Sequence, residues 1–236
     1  MLTEKAANMD AKAVAALRAV SLVKSGMVVG LGSGSTAAHA IRFIGDRIRA
    51  EGLEIIGVPT SSVTNRLAGE VGIPLIDIPS NHGIDITIDG ADEVNSSFCL
   101  IKGGGGALVR EKLVAAASRE LVIICDPSKI KLKLGAFPLP VTVVKFGWEA
   151  TKCRLQEICP EAHLRFARES EEPYLTDDGG YIIDLPLGVI EDPDSLERQL
   201  KAITGVIDVG LFVNLATSVI VGNPDGSSDE LTRNSP

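Results

Sequence analysis

The stretch LIKGGGGALVREKLV, residues 100–114, sets a lysine, four consecutive glycines and a glutamate within one short segment. Four glycines in a row lose much chain entropy on folding. Their native conformation therefore calls for positive φ or close approach of the backbone to a ligand. Lys102 precedes Gly103, Gly104 and Gly105, and Glu111 falls about one turn into the predicted following helix, where it can lean back toward the loop. A cation, backbone donors, a helix N-terminus and a carboxylate are what proton abstraction beside a carbonyl requires: a base, and stabilisation of the developing enediolate. The competing reading of Glu111 is a surface acid paired with a neighbouring lysine.

Three further stretches carry polar groups just after predicted strands. In DITIDGADEV, residues 85–94, Asp89 and Asp92 stand three apart across Gly90 and Ala91. Carboxylates at the carboxyl end of a parallel strand point into the crevice where open α/β sheets bind ligands. Two such acids can hold different protonation states, although a solvated Asx-turn would also explain them. In GLGSGSTAAHA, residues 30–40, glycines alternate ahead of a helix. The second strand ends without the acid of a dinucleotide site, and no lysine completes a Walker loop. What remains is a helix N-terminus with Ser33, Gly34, Ser35 and Thr36, which suits one phosphate monoester or simply a tight, capped turn. ICDPSK, residues 124–129, offers Lys129 as a second cation or a plain Asp-Pro turn.

The elements that must position these groups alternate. A helix over residues 10–24 is followed by the strand MVVGLGS, a helix over 35–50, the strand EIIGVPT, and a helix capped near Ser61 or Ser62. Strand pieces PLIDIP and DITIDGAD, a helix over 107–118 and the strand ELVIICD complete the first half. Short, nearly continuous β-branched runs between helices predict a parallel sheet covered on both faces. After the Pro-bracketed KLGAFPLPV the order changes to strand VTVVKF, helix 148–158, strand HLRFAR, strand YIIDLPL, helix 193–203 and strand VIDVGLF. That βαββαβ order is the split-βαβ, ferredoxin-like pattern. SVIVG is expected to return to the first sheet, and the polar tail DGSSDELTRNSP to fray. The fold class is thus α/β: a Rossmann-like, mostly parallel sheet over 1–137 and 209–236, with an inserted α+β domain over 138–208.

Composition narrows the partners. A net charge of −8 argues against a phosphate-backbone binder, and 4% aromatic residues offer no obvious base-stacking platform. No run is long enough to span a membrane, and the N-terminus lacks signal-peptide anatomy. Four scattered cysteines read as reduced thiols in a cytoplasmic protein, and His39, His82 and His163 have no metal-ligand spacing, so neither metal nor cofactor is expected.

GLGSGSTAAH, DGADEV, KGGGGALVREK, DPSK, FPLPV and GVIDVGLF stand in the order seen in type A ribose-5-phosphate isomerases. The resemblance covers roughly residues 10–226. It implies a metal-independent aldose–ketose isomerase of the pentose phosphate pathway that interconverts D-ribose 5-phosphate and D-ribulose 5-phosphate through a cis-enediol. By motif position it makes Glu111 the base, Asp89 and Asp92 the pair handling hydroxyl protons and ring opening, and Lys102 with Gly103–Gly105 the group binding the sugar and steadying the enediolate. Ser33–Thr36, with Lys129, become the substrate loop and phosphate contacts, and Gly90 and Ala91 complete the binding turn. It further implies a homodimer or homotetramer, with the second domain as lid or oligomer contact. Ala136 replaces a lysine found in many relatives, and Lys12 is the nearest candidate for an N-terminal lysine near the phosphate. Rival readings are a sugar-phosphate deaminase, a CoA-transferase relative using a nucleophilic glutamate, and a sugar-phosphate-sensing module.

Overall fold

The structure, a computed structural model, describes residues 10–80 and 83–233. The extreme N-terminus, His82 and the last three residues of the polar tail lie outside them. The chain divides into two compact units. The first holds the chain up to Ala91, Arg110–Ile130 and the chain from Leu215; the second holds Asp92–Val109 and Lys131–Asn214.

In the first unit, helix α1 (Ala11–Val20) starts where Asp10 accepts the Ala13 N–H at 2.7 Å. Strand β1 (Val28–Leu31) leads into helix α2 (Gly34–Glu51), which stops at Gly52 in the left-handed conformation. Strand β2 (Ile56–Pro59), helix α3 (Ser62–Glu70) and strand β3 (Ile84–Asp89) follow. Strands β4 (Glu93–Val94) and β5 (Leu100–Ile101) belong to the second unit. Helix α4 (Leu108–Ala116) then leads to strand β6 (Ser118–Cys125).

The main sheet has six strands in the order β13-β12-β6-β3-β1-β2, with β12 at Ser218–Gly222 and β13 at Ser228–Thr232. All neighbours are parallel except β13. Ala15, Ala16 and Ala19 of α1 and Ile41 and Ile44 of α2 pack on Val29, Leu31, Ile86, Ile88, Val122 and Ile124 of the strands. On the other face Val114 of α4 packs with Val28, Val58 and Ile84. Both faces are covered, as the uninterrupted apolar strands require.

The second unit contains strand β7 (Leu139–Val143), helix α5 (Trp148–Gln156), strands β8 (His163–Leu164) and β9 (Tyr181–Leu185), helix α6 (Pro193–Lys201) and strand β10 (Val206–Val209). Its sheet runs β10-β7-β9-β8, wholly antiparallel. That is the strand order of a split-βαβ fold. Asp192 caps α6 by accepting the Ser195 N–H at 3.0 Å, ahead of Pro193.

Several expectations need correction. PLIDIP forms only an isolated bridge at Leu75, because proline removes ladder donors at this edge. HLRFAR keeps only two strand residues, with a further bridge at Phe166. VIDVGLF breaks at Gly210, and its second half, β11 (Leu211–Phe212), enters a three-stranded sheet ordered β11-β5-β4. The tail does not fray over Ser228–Thr232, which pairs antiparallel with β12; Glu230 there meets Arg18 at 2.7 Å. The small sheet also explains why the second unit reaches beyond 138–208. It gathers 92–109 and 209–214, while buried Glu93 binds the N–H groups of Gly135 (2.6 Å) and Phe137 (2.7 Å) and so gathers 131–137 as well.

Candidate active site

In the first unit, the loop after β1 is pressed against the end of β3. A Cβ on Gly32 would stand 2.2 Å from Asp89 Oδ1 and 2.5 Å from its Cα, so only glycine fits. Asp89 is 1% exposed, and its Oδ1 accepts the N–H of Ser33 at 3.0 Å and its own neighbour Gly90 N–H at 2.7 Å. A buried carboxylate held by backbone donors keeps one orientation. The backbone of Gly90 runs alongside Ser33 and Thr36.

Ser33 occupies the N-cap position of α2, yet its side chain does not cap the helix. Its Oγ instead joins a hydroxyl cluster, 2.8 Å from Thr60 Oγ1, 2.8 Å from Ser61 Oγ and 3.2 Å from Thr64 Oγ1. Thr60 and Thr64 in turn donate to the carbonyls of Leu31 and Gly32, both at 2.9 Å. The hydroxyl of Ser33 thus braces the loop from within, while Gly34 and Ser35 remain exposed at the helix start. The sequence reading missed this cluster. The TSSVT run at the end of β2 was its only signal.

Beside that helix start the structure gathers charge. Lys12 Nζ donates to Ser35 Oγ at 3.1 Å. Burial pushes the Asp126 carboxyl up, but the Ser128 hydroxyl and N–H, with the charges of Lys129 and Lys12, outweigh it and hold the group below its ordinary value. Both lysines therefore stand near one carboxylate at the mouth of β6. Asp126 also fixes the turn that carries Lys129, accepting the Ser128 N–H at 2.9 Å. Burial, then the Asp126 charge, pushes the thiol of Cys125 just before it up to about 12, which disfavours the thiolate. The arrangement in this unit is a helix N-terminus with two lysines and a serine hydroxyl, a setting for one phosphate.

Glu111 lies in the first turn of α4 and is only 5% exposed, so it is not a solvated surface acid.

In the second unit, Lys102 is 3% exposed, with Nζ 5.5 Å from the ring centroid of fully buried Phe212. Its N–H donates to Gly210 O at 2.8 Å. Asp92 Oδ2 accepts the Gly104 N–H at 2.8 Å, and a Cβ on Gly104 would stand 2.7 Å from the same carboxylate. The loop turns at Gly103 (φ +100°) and Gly106 (φ +85°), closed by Gly106 N–H to Gly103 O at 3.0 Å. Its glycines permit that turn. Arg165 and Tyr174, which donate to the loop carbonyls, and Asp184, which accepts from Arg165, were also missed, being some sixty residues or more away in sequence.

Among the described residues no cluster of three His, Cys, Asp or Glu could hold a metal ion, and no helix is long and apolar enough to cross a membrane.

The family model for ribose 5-phosphate isomerase A (phosphoriboisomerase A) matches residues 56–226. Ribose-5-phosphate isomerase A 1 of Oceanobacillus iheyensis is 50% identical over 208 residues, covering 88% of this chain and 92% of its own length. The solved ribose 5-phosphate isomerase A of Methanocaldococcus jannaschii superposes with a TM-score of 0.88 at 40% identity, covering 94% of this chain and 98% of that one. A D-ribose-5-phosphate isomerase solved in complex with phospho-erythronic acid gives a TM-score of 0.89 at 35% identity, over 95% of this chain and all of that one.

Proposed function

The chain belongs to the ribose 5-phosphate isomerase A family, and from that premise we propose that it interconverts D-ribose 5-phosphate and D-ribulose 5-phosphate. The observation that carries the reading is Lys12 donating to Ser35 Oγ at the start of α2, with Lys129 near the same Asp126 carboxylate as Lys12, so that positive charge is gathered for a phosphate monoester. One relative is solved in complex with phospho-erythronic acid, a compound that carries a phosphate and a carboxylate on one short carbon chain.

In this reading Glu111 removes the C2 proton of the open-chain aldose and returns it to C1. The electron pair left at C2 moves into the cis-enediol, whose developing negative charge is steadied by Lys102 and the peptide groups of Gly103–Gly105. Asp89 and Asp92, with Gly90 and Ala91 between them, open the ring and carry protons between the hydroxyls. Gly34, Ser35, Thr36 and Lys129 hold the phosphate together with Lys12, while Ser33 acts from behind as the brace of the loop. The reaction needs no metal. The protein works in the cytoplasm as a homodimer or homotetramer, with the 138–208 domain as lid or oligomer contact.

The test is conversion of D-ribose 5-phosphate in EDTA, with Glu111→Gln alongside. Wild-type turnover should ignore the chelator, and the variant should lose about a thousandfold in kcat while still binding phospho-erythronic acid. Near wild-type kcat in the variant removes Glu111 as base. A folded wild type without turnover brings the deaminase, CoA-transferase and sensor readings forward.

A further inference from the structure

The glycine loop of the second unit has no side chain of its own to fix its peptide planes, yet one of those planes is gripped from both edges. The Gly103 carbonyl accepts Arg165 Nη1 at 2.8 Å, and the N–H of the same peptide, on Gly104, donates to Asp92 Oδ2 at 2.8 Å. A trans peptide points its oxygen and hydrogen in opposite directions, and none of the described peptides is cis. Arg165 and Asp92 therefore hold one rigid plate between them. Arg165 Nη1 also reaches the Gly104 carbonyl at 3.2 Å.

Arg165 is itself clamped. Its Nε donates to Asp184 Oδ2 at 2.7 Å and its Nη2 to Asp184 Oδ1, with both side chains largely buried. Its N–H and carbonyl tie it to Ile182 O and Tyr174 N at 2.8 and 2.9 Å. Tyr174 adds a third hold, donating its hydroxyl to Gly105 O at 3.1 Å. Only a planar guanidinium, with donors on several edges, can grip a carboxylate on one side and carbonyls on another.

We propose that Arg165, clamped by Asp184, is a positioning residue: it fixes the Gly103–Gly104 peptide so that its N–H holds the Asp92 carboxylate in working orientation. The proposal rests on the role given to Asp92 above. The chain of contacts runs Asp184, Arg165, peptide, Asp92, and lies wholly within the second unit. Removing the guanidinium leaves the carbonyl edge of the plate held by the Gly106 N–H alone, at 3.0 Å, so the plate can tilt and the carboxylate loses its fixed orientation, which slows the steps Asp92 serves without removing a phosphate contact.

The experiment compares Arg165→Met, Arg165→Lys, Asp184→Asn, Asp92→Asn and the Arg165→Met/Asp92→Asn double variant in the intact protein. Arg165→Met should lower kcat by about ten- to a hundredfold with KM changed by less than about threefold. Arg165→Lys should recover only part of the loss. In the Asp92→Asn background Arg165→Met should have little further effect, because both act on one carboxylate. Independently of turnover, the Gly104 amide resonance should move upfield and exchange with solvent about tenfold faster or more in Arg165→Met. If Arg165→Met does not fold, Asp184→Asn carries the same readouts. An unchanged Gly104 amide, or full additivity with Asp92→Asn, overturns the proposal. A wild type that does not isomerise ribose 5-phosphate overturns the functional reading instead, while the Gly104 amide still decides whether Arg165 positions the peptide.

Discussion

The two glycine loops solve the same problem by opposite means. The first, between β1 and α2, is fixed by contact: Gly30 and Gly32 lie so close to β3 that a Cβ would strike Thr87 Oγ1 at 1.8 Å and Asp89 Oδ1 at 2.2 Å. Neutral hydroxyls from the start of α3 lock it further. The second, before α4, has open space at Gly105 and is fixed at a distance by Arg165 and Tyr174. A loop wedged against a strand needs small residues and tolerates no movement. A loop hung from long side chains keeps its shape only while the anchor is present. Glycine serves close packing in the first; in the second it serves backbone conformation at Gly103 and Gly106 and also close approach, since a Cβ on Gly103, Gly104 or Gly106 would stand under 3 Å from Leu108, Asp92 or Tyr174, and only Gly105 has open space.

Substitutions can break this contrast. Gly32→Ala should have the largest effect, since backbone as well as side chain stands in the way. A loss of about 3 kcal/mol, seen as a fall in Tm of about 10 °C, is expected together with loss of turnover. Gly104→Ala should behave differently: Tm within about 2 °C of wild type but kcat about tenfold lower, because the Asp92 carboxylate can swing aside. Equal losses of Tm in the two would erase the distinction. Ser33→Ala should cost about 1 kcal/mol in urea unfolding and leave KM nearly unchanged, whereas Ser35→Ala should raise KM. A larger KM effect from Ser33 would return its hydroxyl to the substrate. Gly105→Ala should be the mildest, within about 0.5 kcal/mol, as nothing lies within 4 Å of the added methyl. Strong destabilisation there would mean that the hung loop is as tightly packed as the wedged one.

How legible these features were in the sequence depends on their range. Nearly continuous apolar runs were enough for β1, β3 and β6, the order of elements for the βαββαβ unit, and a local cap marked the start of α3 at Ser61. Strand β13 carries no apolar signal: SDELT is largely exposed and is a strand only because β12 offers an open edge. The two-residue strands β4, β5 and β11 exist through one another, so no window of sequence announces them. The site followed the same rule. Candidate groups close in sequence, such as Asp89 with Asp92, could be read directly. The partners of Ser33 lie about thirty residues on, and the anchor of the glycine loop about sixty, beyond the reach of spacing arguments.

Gly210, where the chain leaves the four-stranded sheet for the three-stranded one, has a consequence for folding order. Its carbonyl takes the N–H of Lys102, its N–H goes to Pro140 O at 2.7 Å, and a Cβ there would stand 2.4 Å from Lys102 O. Lys102 and Gly210 are roughly a hundred residues apart, so this stitch closes one of the longest loops in the unit. It is expected to form only after β7 is in place, so pulsed hydrogen exchange during refolding should find the Lys102 amide protected among the last in the second unit.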